Sequence, residues 1–323
     1  MEENSFEIHY WFGDESHLMD ALIQNKCEYE LLGIVKEIAK QFDVEIFIET
    51  APLENGGLRR WFRIATREEN RKATITTGVI TVLLTILLTT PITKTYDKVF
   101  EKLYEDKEEK ALDTDLKKEQ LKNLQLQNSK LQREEDREEQ AKFLNENTVI
   151  KKKKSIYYES LKSYPKVEKV SYIINNQNKT TEIFISRNSF EEFILLSDDL
   201  EPIITEDAII EIVSPVLKKG HYKWMGIYNG ETINFNMQSL EFKNLVQSRE
   251  VEFKNGTSIN CIIRQRRRID NEGQIKTVAY DVTQVNSYFE NDNPVETFEG
   301  RKYRQRREAD RQQLDLFDTN DNE

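Results

Sequence analysis

The chain opens on an alternation of apolar and polar positions. From Ser5 to Phe12, Phe6, Ile8, Tyr10 and Phe12 share one face and Glu7, His9 and Trp11 the other, the period of a half-buried strand. After a turn at Gly13 and Asp14 the period changes. Leu18, Leu22, Leu31, Ile34, Val35, Ile38 and Phe42 recur at helical spacing, which predicts a helix from Ser16, a suitable N-cap, to about Phe42. Val44, Ile46 and Ile48 read as a second strand, and Leu58, Trp61, Phe62 and Ala65 as a second helix. Strand, helix, strand order favours parallel pairing through a right-handed crossover, so residues 1–72 are predicted to form a small βαβα unit. A unit of this size buries little surface alone and needs a second copy or the following segment for support.

Residues 73–93 contain no charge over 21 positions, about the length of a membrane-crossing helix. Ten of these positions are Leu, Ile or Val, but eight are Thr, so insertion is favoured only narrowly. Thr77, Thr81, Thr85, Thr89 and Thr93 fall every fourth residue, a small polar stripe suited to self-association in a membrane. The expectation is a membrane helix, with a buried helix of a folded domain as the alternative. Six basic residues in the 17 positions before it and five in the 17 after it leave its orientation undetermined.

Residues 94–148 are rich in Glu, Lys, Gln and Leu, without Gly or Pro, and predict a charged helical stalk. Leu121, Leu124, Asn128 and Leu131 fit an a, d, a, d seam for barely two heptads, so a solvated helix and a short coiled coil that pairs two copies both remain open. Lys151 to Lys154 mark a boundary, beyond which residues 149–290 predict a strand-rich antiparallel domain. Its strands include Val170 to Ile174 and Thr181 to Ser186, followed by a helix through Phe190 and Phe193. The pair Asn229-Gly230 between two alternating runs signals a tight hairpin, Asn255-Gly256 repeats the signal, and Asp270 to Gly273 forms a third turn. A short helix through Leu240, Phe242, Leu245 and Val246 interrupts the strands, and a small barrel is the preferred arrangement. Residues 291–323 predict a disordered tail. The fold class is therefore α+β in several segments.

Composition narrows the function. A charged fraction of 33 % with a net charge of −11 leaves nucleic-acid contact to local basic patches. Arg264, Arg266 and Arg268 on one strand face, with Arg304, Arg306 and Arg307 in the tail, are such patches and could grip phosphates. Cys27 and Cys261 stand far apart, which argues against a disulfide framework and for a reducing compartment. Cys261, between Ile259 and Ile263, reads as a small buried hydrophobe. Asp14, Glu15, His17 and Asp20 cluster after the first strand, where α/β units often bind ligands, but carboxylates near a helix N-terminus also simply oppose its dipole. No phosphate-cradling glycine loop or metal-ligand spacing is present in the sequence, and no cofactor or metal is expected.

The tail contains Gln313-Leu314-Asp315-Leu316-Phe317. This run resembles the bacterial sliding-clamp binding motif at all five positions. The resemblance implies that Leu316 and Phe317 enter an apolar pocket of the replicative clamp, that Leu314 packs beside them and that Gln313 anchors the peptide by hydrogen bonds. With a crossing at 73–93, a cytosolic tail sends the N-terminal unit outward, an uncomfortable topology. The expectation is a noncatalytic tether or sensor at the inner membrane, its C-terminal domain in the cytoplasm and bound to the clamp, in a mobile-element or antiviral setting. An enzyme built on Asp14, His17 and Asp20, or a soluble DNA-binding accessory using the arginine strand, are the alternatives.

Overall fold

The structure, a computed structural model, describes residues 5–14, 18–50, 58–66, 77–92, 136–137, 139–176, 179–218, 220, 222–254, 256–290 and 293–318. The chain divides into two compact units, one of Met1–Leu196 with Asn271–Gln274, the other of Ser197–Asp270 with Ile275–Glu323. The division falls after Leu196, not at the lysine run near residue 150.

The first unit contains β1 (Ser5–Phe12), α1 (Ala21–Gln41), β2 (Ile46–Thr50), β3 (Leu58–Thr66), α2 (Thr77–Thr89), α3 (Thr148–Ser163), β4 (Val167–Asn176), β5 (Lys179–Ser186) and a 3-10 turn at Arg187–Phe193. The five strands form one sheet in the order β2-β3-β1-β4-β5, and every pairing is antiparallel. This corrects the parallel βαβα reading of residues 1–72. β1 and β2 are not neighbours, because β3, predicted as a helix, lies between them. Phe62 and Ile64, two residues apart, both turn into the core, a strand period that the helical spacing of Leu58, Trp61 and Phe62 obscured. The support such a small unit needs comes from its own chain, since β4 pairs β1 over Phe6 to Phe12 from more than 150 residues away.

α2 overturns the membrane reading and the transmembrane assignment with it. It has 13 residues, and among the described residues no helix is long and apolar enough to cross a membrane. No residue from Ile80 to Thr90 is more than 5 % exposed. A helix apolar on all sides needs an apolar surround, and here the surround is the unit's own core of Phe6, Ile8, Ile34, Tyr158 and Phe193. Two members of the threonine stripe bond within the helix, Thr85 Oγ1 donating to Thr81 O at 3.1 Å and Thr89 Oγ1 to Thr85 O at 2.8 Å.

The lysine run, read as a boundary, lies inside the first unit. Lys152, Lys153 and Lys154 are buried in α3. Lys153 Nζ lies 3.3 Å from Glu30 and over the Tyr29 ring. Lys154, with no exposed surface, donates to Thr90 O at the end of α2 and to Asn145 Oδ1, both at 3.1 Å. One turn later on α3, Tyr158 donates to Leu88 O, so two side chains of α3 satisfy terminal carbonyls of the buried helix. Residues 139–146 are helical, and Ala141 and Leu144 join the same core. The predicted seam of Leu121, Leu124, Asn128 and Leu131 lies outside the described residues.

The second unit contains β6 (Asp199–Ser214), β7 (Trp224–Tyr228), β8 (Glu231–Met237), α4 (Leu240–Gln247), β9 (Ser258–Ile269), β10 (Ile275–Glu290), β11 (Asn293–Glu296) and α5 (Phe298–Asp318). The hairpin signal is realised in the β7–β8 turn, where Asn229 and Gly230 both have positive φ, 51° and 80°. The strands run β10-β8-β7-β6-β9, and β9 pairs back onto β10, which closes a five-stranded barrel. All pairings are antiparallel except β8 with β10, which is parallel over Tyr280 to Val282. Breaks in register along β6, β9 and β10 give the curl that closure needs. Ile210, Trp224, Phe235, Ile259, Cys261, Ile263 and Val282 fill the interior. A closed barrel whose first strand meets its second and fourth, whose third and fifth run parallel, and whose helix falls between the third and fourth, has the connectivity of the oligonucleotide/oligosaccharide-binding (OB) barrel.

The predicted disordered tail is also corrected, over residues 293–318. β11 extends the barrel sheet, and α5 is 21 residues long, about 30 Å of helix.

Candidate functional site

α5 is rooted in the barrel by a compact set of polar contacts. Thr297 donates through Oγ1 to Val285 O at 2.6 Å and accepts from Gly300 N at 2.9 Å, the geometry of an N-cap. Glu241 of α4 accepts from Phe298 N at 2.6 Å and Glu299 N at 2.8 Å, so a carboxylate sits at the positive end of α5. Glu299 in turn accepts from Ser239 Oγ at 2.8 Å, and Ser239 caps α4 through Phe242 N. At Gly300 a Cβ would stand 1.9 Å from Asn286 O, so only glycine allows the helix this close to β10. Sequence inspection gave no hint of this root, because Glu241 and Glu299 are 58 residues apart and meet only through the barrel.

The clamp-type motif lies at the other end of α5. Residues 313–317 fall within its last turns, and the helix before them is exposed from Arg304 to Arg311. Gln313 and Phe317 are four residues apart, about one helical turn.

The arginines do not form one basic surface. Arg264 and Arg266 both contact Asp281 Oδ2, at 3.1 and 3.0 Å, and Asp281, 1 % exposed, also accepts from Asn236 Nδ2 at 2.7 Å. Arg268 pairs with Asp199 at 2.7 Å, which holds that carboxyl below its usual range. On α5, Arg304 pairs with Glu296 at 2.9 Å and lowers its carboxyl in the same way, and Arg307 pairs with Asp207 at 2.6 Å. Among the described residues only Arg306 of these six has no carboxylate partner. The strand set and the helix set share no carboxylate.

Of the acidic group after β1, the two described members have separate partners. Asp14 pairs with Lys166 at 2.8 Å, and Asp20 caps α1 by accepting from Leu22 N and Ile23 N. Glu15 and His17 lie outside the described residues. Among the described residues no group of three His, Cys, Asp or Glu could hold a metal ion. Burial pushes the Cys27 and Cys261 thiols up to about 12, which suppresses the thiolate a nucleophile requires.

A different set of side chains escaped sequence reading. The β6–β7 loop carries Lys218, Tyr222 and Lys223, and α4 adds Lys243, Asn244 and Gln247. The signal available was a basic run broken by an aromatic residue between two strands. No family model, curated protein or solved structure matches the chain.

Proposed function

We propose that this chain is a noncatalytic adaptor that docks on the bacterial replicative sliding clamp through Gln313, Leu314, Asp315, Leu316 and Phe317. The five-residue motif, placed at the far end of a helix whose near end is fixed in a barrel, is the observation that supports this reading. The root at Thr297, Glu241 and Gly300 would hold the barrel at a set distance from the clamp, while the terminal turns, cheapest to unwind, would release the motif for docking. Because α2 is buried in a folded unit, both units can share the cytoplasm with the clamp.

The test is calorimetric titration of a purified bacterial clamp with the full chain and with a peptide of its last ~25 residues. Micromolar binding by both, abolished by Leu316→Ala with Phe317→Ala, is the expected result. Absence of binding by both would overturn the proposal.

A further inference from the structure

Five of the six arginines that stand out in the sequence are engaged by carboxylates, and other cations without such partners gather elsewhere. Among the described residues Lys218 and Lys223 in the β6–β7 loop and Lys243 on α4 have no ion-pair partner. Tyr222, between the two loop lysines, is 65 % exposed. Lys218, Tyr222 and Lys243 line a recess of about 190 Å3 together with Asn244 and Gln247.

We infer that this recess binds single-stranded nucleic acid, with Lys218, Lys223 and Lys243 facing phosphates, the Tyr222 ring stacked on an unpaired base, and Asn244 and Gln247 offering amides to base edges. Each element has its own physical reason. Unpaired ammonium groups release counterions when they meet phosphates, whereas an arginine already on a carboxylate must first lose that partner. An exposed ring accepts any base by stacking, but only if the base is out of a duplex. The loop between the first and second strands is one that barrels of this connectivity use to grip oligonucleotides. The strand face beside it presents Met225, Ile227, Thr232 and Asn234, none of them aromatic, so the stacking group is on the loop. An anionic lipid surface would also attract the lysines, and exposed Leu217 would suit it, but it would leave the amides of the recess without a role. This inference does not depend on the clamp motif, which is on a different element.

The test is fluorescence anisotropy of a labelled thymidine single strand of ~20 nucleotides with the full chain, at about 50 mM and about 150 mM salt. Binding should weaken with salt at a log–log slope of about −2, as three phosphate contacts on a single strand require. The variant carrying Lys218→Glu, Lys223→Glu and Lys243→Glu should bind at least about tenfold more weakly, and Tyr222→Ala about 5- to 100-fold. Tyr222→Phe should retain affinity, and Arg306→Glu, the control at another free cation, should change it little. Circular dichroism would confirm that each variant is folded. The inference is overturned by no binding at the lower salt, by unchanged affinity in the triple variant, by a duplex binding as tightly as the single strand, or by binding only to phosphatidylglycerol-containing vesicles.

Discussion

Lys154 Nζ donates to the carbonyl oxygen of Thr90 at 3.1 Å, so an ammonium group with no exposed surface closes the end of a helix that is itself buried from Ile80 onward. The acceptors it has, Thr90 O and Asn145 Oδ1, are neutral. Burial, with a smaller contribution from the Lys151 charge, pushes its pKa down from 10.5 to about 7. Between those values the unfolded chain binds more protons than the folded one, so stability should rise with pH from about 7 to about 10.5 and be indifferent to this group below 7. Lys154→Met removes the titration and the hydrogen bonds together. Urea denaturation across this range should show the wild type gaining on the order of a few kcal/mol relative to the variant as pH rises. Parallel curves would show that Lys154 does not titrate there.

The root of α5 predicts a sharp response at Gly300. Gly300→Ala places a methyl group against Asn286 O, backbone that cannot swing aside, and should cost about 1–3 kcal/mol or displace the helix. Hydrogen exchange at residues 298–303 would report the displacement directly, and unchanged protection would contradict the close approach.

Asp281 gathers Arg264, Arg266 and Asn236 at one buried carboxylate, tying β8, β9 and β10 together. Asp281→Ala leaves two guanidinium groups and an amide without their shared acceptor and should destabilise the chain by about 3 kcal/mol, measured as a shift in the denaturation midpoint. A near-neutral effect would mean that water replaces the carboxylate.

Thr85 tests the internal satisfaction of α2. Its hydroxyl bonds a carbonyl of its own helix, so Thr85→Val keeps the shape and should change stability by less than about 1 kcal/mol in thermal unfolding. A large loss would reveal a partner for the hydroxyl beyond Thr81.

The local signals were more legible in the sequence than their assembly. The alternation at Phe6, Ile8 and Tyr10, the Asn229-Gly230 turn and the helix through Phe242 and Val246 are where the patterns predict them, because each depends on neighbours within a few residues. The pairing of β1 with β4 depends on residues more than 150 positions away, which no local period reports. An uncharged run such as Ile80 to Thr90 looks alike whether lipid or a protein core surrounds it, so periodicity left both readings open. For the candidate sites, charge type was readable but charge pairing was not. Arg268 and Arg307 look available in the sequence but have Asp199 and Asp207 beside them, while Lys218 and Lys243, unremarked in the sequence, have no such partner among the described residues.

The two bonds of Lys154 have a topological consequence as well. Thr90 precedes the charged run that begins at Lys94, and Asn145 follows most of it, yet one nitrogen atom touches both. Thr90 and Asn145, 55 positions apart in the chain, are therefore held at a single point of the first unit. One ammonium group thus pins two distant stretches of sequence together, and between ends already fixed a doubling of chain length costs only about 0.6 kcal/mol.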